Sequence, residues 1–350
     1  MRLTRALDTR PVLRFEGGLD LRLGNLAAGF GLALAILATA LWSITSGNTP
    51  VGLSDLISGE LSEEQRFALM YGRLPRLLLG LMAGWCLAIA GAMLQSLTQN
   101  PLADPGLLGL SQGSMITIMV LLLFLPTAPA ALIPVAGLVG GLLLLVILRL
   151  LLGGNVADGL AILLMGIALD TVLSAITALL VLYTPTEISM AVSTWLAGSL
   201  YLSNWPQVLG LSPWAALSFP ILVFGAPILR PLDLGDDRAT AIGLNLTRVK
   251  PVLLLAAVLL TSTAVSAVGP IVFLGVMAPH LAQFLSAATG RARLILSGLM
   301  GGWLVLLADL IVRTGATETT IPLGLALTLL GVPLFVITLR LRMLRILLQS

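Results

Sequence analysis

From Leu26 onward, apolar residues come in long runs separated by short polar punctuation rather than in the alternation of a half-buried strand. A membrane-crossing helix needs about 20 apolar residues. On that length the runs predict ten helices, near 25–46, 74–98, 106–125, 132–152, 159–182, 207–229, 251–268, 271–288, 295–313 and 322–340. The first run follows an Arg-rich tail, is too long for the apolar core of a cleavable signal, and has no small-residue cleavage site behind it, so it reads as a retained span. Between the fifth and sixth runs, residues 186–205 set Trp195, Tyr201 and Trp205 around a small-residue centre, the pattern of an interfacial helix. The expected architecture is an all-α polytopic membrane protein: a cytoplasmic tail over 1–24, a ten-helix transmembrane domain over 25–340, and a second cytoplasmic tail over 341–350.

Composition agrees and narrows the function. Of 350 residues, 58% are hydrophobic and 10% charged, with a mean hydropathy of +1.05, which excludes an ordinary soluble enzyme. A net charge of +3 is too small and dispersed for nucleic-acid binding. One cysteine, Cys86, and one histidine, His280, leave no disulfide framework and no His/Cys metal cluster, and His280 reads as a hydrogen-bonding partner of a neighbouring loop. The only lysine is Lys250 and no phosphate-binding glycine loop accompanies it, so the chain does not hydrolyse ATP by that route. Placing both termini in the cytoplasm leaves only Arg66, Arg73, Arg76 and Arg313, of 19 basic residues, on the outer side.

Those four stand against the positive-inside bias. Arg73 and Arg76 flank a proline at a helix start and Arg313 ends another span, forming a cationic rim suited to an acidic soluble partner; snorkelling and pairing with Glu60, Glu63 or Glu64 are the alternatives. Asp309 lies one helical turn before Arg313, the spacing of a structural ion pair. Helix 74–98 is rich in glycine and alanine, which permits close packing in lipid, and its GLMAGWC (80–86) is echoed by GLMGGWL (298–304) in an oppositely directed span. Gln95 at the inner end and Asp170 in the fifth span are polar groups at depth, where function is the default reading. A twin turn, Asn100-Pro101 and Asp104-Pro105, sits where a pathway would meet the cytosol, with Asp104 as N-cap of the following helix. The longest inner loop, 230–251, encodes a compact helix: Gly235 for a turn, Asp236 as cap, residues Asp237 to Ile242 helical, then Gly243 at the C-cap before Leu244. Such a preformed element either covers the inner surface or fits a cleft on a soluble partner.

The motifs RLPR (73–76), AGAMLQ (90–95), NPLADPGLLGLSQGS (100–114), LDLGDDRATAIGLN (232–245), GPIVFLGVMAPH (269–280), ADLIVR (308–313) and IPLGLALTLLGVPLF (321–335) together resemble, in order, the permease subunits of ABC importers for iron–siderophore complexes, haem and cobalamin. The resemblance implies a ten-helix subunit of the bacterial inner membrane that pairs with a second permease, identical or sister, around a central pathway. It implies two ATPase subunits inside, which hold the ATP and magnesium while this chain binds no cofactor, and a periplasmic or lipid-anchored substrate-binding protein outside. Carried over by motif, Arg73, Arg76 and Arg313 meet the binding protein; Leu234, Gly235, Asp236, Asp237, Arg238, Ala239, Gly243 and Leu244 form the ATPase-docking element; Asn100 and Leu102 occupy the cytoplasmic gate. Gln283, where arginine is usual, and Gln112–Ser114, where smaller residues are usual, depart from the pattern. No covalent chemistry is expected of the chain. A proton-coupled carrier using Asp170, and a structural membrane protein without flux, are the competing readings.

Overall fold

The computed structural model describes residues 2–5, 11–14, 20–47, 49–153, 158–314 and 321–347. Its helices, in order, are α1 (Leu23–Thr45), α2 (Leu53–Ser58), α3 (Glu63–Phe67), α4 (Leu74–Thr98), α5 (Leu110–Phe124), α6 (Leu132–Leu151), α7 (Gly159–Leu182), α8 (Thr186–Leu196), α9 (Trp205–Pro220), α10 (Ala226–Leu232), α11 (Asp236–Ala241), α12 (Leu246–Val268), α13 (Leu274–Leu285), α14 (Gly290–Thr314) and α15 (Leu323–Leu347). Among the described residues, eight helical paths are long and apolar enough to cross a membrane, and α5 and α13 are shorter apolar helices at the places of the third and eighth expected spans. Of the segment 186–205 read as interfacial, the first half forms α8.

Several boundaries differ, each for a local reason. Part of the tail over 1–24 forms a small antiparallel sheet of three strands, β1 (Arg2–Arg5), β2 (Pro11–Arg14) and β3 (Asp20–Arg22), where no strand was expected. The third span begins only at Leu110 and the eighth is confined to Leu274–Leu285; both are entered through a left-handed residue, Gly109 (φ +71°) and Phe273 (φ +70°). Asp104 therefore does not cap the third span. Its Oδ1 accepts from the Gly106 amide at 2.7 Å and closes a separate turn.

The second and sixth spans are longer than expected because α3 runs into α4, and α9 into α10, through single π-helical turns at Ala68–Arg73 and Ile221–Gly225. Each turn precedes a proline, Pro75 and Pro227, whose missing N–H breaks the i→i−4 ladder. The Leu74 amide bonds the Leu69 carbonyl and the Ala226 amide the Ile221 carbonyl, leaving the carbonyls of Met70 and Leu222 without their usual helical donors. Side chains from other helices replace them. Trp205 Nε1 donates to Met70 O at 2.7 Å. Arg291 donates to Leu222 O at 3.0 Å and to Val223 O, the carbonyl that Pro227 cannot reach, at 3.1 Å. In hydrocarbon, where water cannot satisfy a freed carbonyl, this is the condition for tolerating the prolines.

α4 is the axis of the bundle, packed against α12, α13, α14 and α9, with its lower two-thirds almost wholly buried. α1, α6, α7 and α15 lie outside it and keep mostly apolar, exposed faces. Glycine sets the approach distances: a Cβ on Gly84 would stand 2.4 Å from the Gly301 carbonyl oxygen, and one on Gly91 2.1 Å from that of Gly275. The echoed motifs 80–86 and 298–304 thus face each other across the α4–α14 seam. Because the obstacle is backbone, Gly84→Val is expected to destabilise the fold by about 3 kcal/mol or more. Gly31→Ala, at a position with no neighbour within 4 Å, should leave thermal unfolding in detergent nearly unchanged.

Candidate functional site

At the outer end, the three arginines converge on the last turn of α1 and on Asp309. That turn has no basic residue of its own to meet its exposed carbonyls. Arg73 supplies donors to the carbonyls of Ile44 and Thr49, and Arg313 donates to Ser43 O and Oγ, both at 2.9 Å. Arg76 Nε lies 2.8 Å from Asp309 Oδ1, and Arg313 Nε lies 3.5 Å from Oδ2. Asp309 is therefore paired as the i,i+4 spacing anticipated, but its closer partner is Arg76, 233 positions away. Arg73 is buried rather than on a rim, while Arg76 and Arg313 keep about a fifth of their side chains exposed. The glutamates considered as partners are exposed; Glu63 and Glu64 open α3, whose cap is Ser62 with Gln65.

At the inner end, α4 stops at Gln99 (φ +53°) and residues 99–109 form a hairpin to α5. Asn100 Oδ1 accepts from the Leu102 amide at 2.9 Å, which holds the tip turned with the Leu102 side chain half exposed. Asp104 is buried behind it, against the first turn of α13: Gly275 could carry no Cβ without meeting Asp104 Oδ2 at 2.7 Å. Burial pushes this carboxyl up from 3.8 to about 6, against the lowering influence of the Gly106, Val276 and Gly275 amides. Asp170 is half-buried on α7 beside Gly109. One and two turns further along the same face, Ser174 and Thr177 bond the Gln112 amide at 2.9 and 3.1 Å. Gln112, noted as a departure from the family pattern, thus ties α5 to α7.

The loop after α10 is as compact as its sequence predicts. α11 starts after Gly235 (φ +101°) and ends in a turn at Gly243 (φ +93°), with the Leu244 amide returning to Ala239 O at 3.0 Å. Asp236 does not act as the cap: Gly235 takes that position, and Asp236 Oδ2 instead meets the fully buried Lys250 Nζ at 2.6 Å. Ala239 is buried, Asp237 and Arg238 are exposed, and Leu234 and Ile242 stand 55% and 64% exposed. Ile242 is a projecting apolar residue the motif reading passed over.

Behind this loop lies a polar cluster that sequence reasoning missed. Arg293, in the first turn of α14, donates to Asp233 Oδ1 at 2.7 Å, to Ser96 Oγ at 2.9 Å and to Gln95 Oε1 at 3.0 Å. Ser96 Oγ also donates to Asp233 Oδ1 at 2.6 Å, and the Gln99 amide donates to the Leu232 carbonyl. Gln95 is buried here, its amide nitrogen 3.4 Å from Gly275 O. His280, further along α13, packs its ring at a tilt of 53° against Phe335 of α15 with centroids 4.6 Å apart. The large cavity, about 700 Å³ at the outer end between α5, α6, α9 and α12, is reached by none of Gln95, Asn100, Leu102 or Asp170.

A multi-pass apolar helical bundle with a tied outer charge cluster, a polar inner hairpin and a rigid projecting loop is the architecture of a membrane transport subunit. The chain belongs to the FecCD transport family, whose model matches residues 34–341. It is 34% identical over 306 residues to the Fe(3+) dicitrate transport system permease protein FecD of Escherichia coli (strain K12), covering 87% of this chain and 95% of that protein. The Fe(3+)-citrate import system permease protein YfmE of Bacillus subtilis (strain 168) is 32% identical, covering 88% and 93%. A solved ABC transporter of metal-chelate type, in an inward-facing conformation, superposes with a TM-score of 0.80 at 26% identity, over 90% of this chain and 99% of that one.

Two outcomes test the geometry. Asp309→Ala leaves Arg76 and Arg313 without their shared counter-charge and is expected to cost about 3 kcal/mol, while the double variant Arg76→Met with Asp309→Leu should cost less than the sum of its parts in thermal unfolding. The Asp104 carboxyl, outside the spans, has a folded pKa above its ordinary value, so its protonation stabilises the hairpin fully below pH 3.8 and that contribution disappears as pH rises through about 6. Hydrogen-exchange protection of residues 99–109 should fall over that range and become flat in Asp104→Asn.

Proposed function

We propose that this chain is the permease subunit of an ABC importer that takes up a ferric chelate of the siderophore type across the bacterial inner membrane. The family match along nearly the whole chain carries the reading, together with relatives named for ferric citrate and for iron(3+)-hydroxamate, such as FhuG of Bacillus subtilis (strain 168), 30% identical over 294 residues. Haem is the second cargo, on the likeness to the probable heme-iron transport system permease protein IsdF of Staphylococcus aureus, 31% identical over 307 residues. In this reading a second permease, identical or sister, completes the pathway, and lipid surrounds the exposed apolar faces. The permease does no covalent chemistry and holds no nucleotide; ATP and magnesium sit on two ATPase subunits at the inner end.

The 233–245 loop suits ATPase docking because its shape is fixed before binding: Lys250 anchors one end of α11, the Gly243 turn closes the other, and Leu234 and Ile242 project. At the outer end a binding protein with acidic residues meets Arg76 and Arg313, which outnumber Asp309, while buried Arg73 supports that surface by holding α1. Asn100 and Leu102 form the inner gate, with Gln95 and Asp170 behind it. A carrier using Asp170 would need no ATPase. Uptake of radiolabelled ferric citrate into proteoliposomes holding the assembled complex should require ATP inside and survive collapse of the proton gradient; the reverse result would return the chain to proton-coupled transport. Ile242→Asp should lower ATPase affinity by roughly tenfold or more, as for loss of an apolar anchor, with the permease itself folded by thermal unfolding.

A further inference from the structure

The proposed function places an ATPase against the 233–245 loop and a gate at the 99–109 hairpin, and does not say what joins them. We infer that the cluster of Arg293, Asp233, Ser96 and Gln95, with Gln99 on the Leu232 carbonyl, is the joint that carries displacement of the loop base into the hairpin; this rests on that reading of the loop and hairpin.

The covalent routes between them are long. Residue 99 is separated from residue 232 by 133 positions, and Arg293 lies 197 positions from Ser96. In space they are one contact apart. Asp233 begins the loop, and its Oδ1 receives both Arg293 and Ser96. Ser96 and Gln95 are in the last turn of α4, and Gln99 ends that helix and opens the hairpin. Gln99 bonds Leu232 O on the loop side and Ser96 O on its own helix, so the first residue of the hairpin is held by the last residue of α10. On the far side, Gln95 reaches the first turn of α13, the turn against which the hairpin's Asp104 is buried. The hairpin is thus held at its start by Gln99 on the loop base directly, and at its middle by the first turn of α13, which reaches the loop base through Gln95 and Arg293.

α14 gives the joint a fixed mount. Two residues before Arg293, Arg291 grips the carbonyls freed by the π turn between α9 and α10. The first turn of α14 therefore holds the helix leading into the loop as well as the loop base itself. A movement of the loop relative to α14 must break the Arg293–Asp233 contact or drag α4 with it.

The cluster is also one bond short. Arg293 Nε is buried and has no acceptor, while the Asp233 side chain is a fifth exposed. Rotation of the carboxylate toward the Nε edge of the guanidinium would satisfy that donor and gives the same contact a second arrangement. Two discrete arrangements of one contact are what a transmitting element requires, since coupling demands that a partner favour one state over the other.

The test uses the full chain assembled with its ATPase in lipid nanodiscs, with a spin label on Leu102→Cys at the exposed tip; the native Cys86 is fully buried. The probe is a non-hydrolysable ATP analogue with magnesium, so no cargo is needed. Nucleotide should change the label's mobility in the otherwise unaltered complex. In Arg293→Met the nucleotide still binds and the spectrum before nucleotide is unchanged, but the response shrinks by roughly tenfold, the upper range for coupling through a contact network. The exchanged pair Asp233→Arg with Arg293→Asp should recover part of it. Gln99→Met, at an exposed position that keeps the fold, should reduce the response by about two- to threefold. A full response in both Arg293→Met and Gln99→Met overturns the inference. So does a tip already altered before nucleotide is added, because the residues would then only be holding the hairpin in shape. Failure of the unaltered chain to retain any ATPase would instead sink the proposed function.

Discussion

Backbone polar groups buried in hydrocarbon must find partners within the protein, and the route of this chain follows from that constraint. Pro75 and Pro227 each remove a donor from a long helix, and each helix continues only because a π turn shifts the ladder and a side chain from elsewhere takes the freed carbonyl. The same rule governs the last turn of α1, whose carbonyls are met by arginines from the α3–α4 path and α14. Several of the long-range polar contacts therefore sit where the helices are imperfect. Within the regular stretch of α4, Gly84 and Gly91 bring backbone against backbone, and Trp85 Nε1 donates to Ser218 Oγ of α9 at 2.8 Å.

This division assigns the charged residues. A guanidinium can serve several acceptors at once, and arginine is used in this way at the end of α1 and at the π turn between α9 and α10. Arg291 and Arg293 occupy one turn of α14 and face two different elements, so the geometry of the inner surface depends on the rotation of α14. At the outer end, Asp309 is shared between Arg76 and Arg313 and leaves a net positive cluster. The two ends are stiffened by the same chemistry, and α4 connects them without a buried charge between Arg76 and its last turn.

Local chemistry was legible residue by residue. The compact helix between Gly235 and Gly243 is read from glycine and capping patterns that act over a few residues, and it forms almost as read. Its one misreading, Asp236 as a cap, arose because Lys250 lies beyond the helix and competes for the carboxylate. Asp104 was misread for a similar reason: an Asp-Pro pair looks like a helix start, but Gly109 provides a left-handed entry five residues later. Gln95 was legible as a polar group at depth, and its partner Arg293 was not.

The sequence by itself determined the multi-pass helical character and the family, because span length, small-residue helices and ordered motifs are properties of contiguous residues. Tertiary structure alone decided which side chains meet: Arg76 with Asp309, Arg291 with the π-turn carbonyls, Arg293 with Asp233 and Gln95, Trp205 with Met70. Those contacts depend on how each helix is rotated about its axis and how far it slides along its neighbour. Both are set by glycine-to-backbone fit between helices far apart in the chain, which no local pattern records.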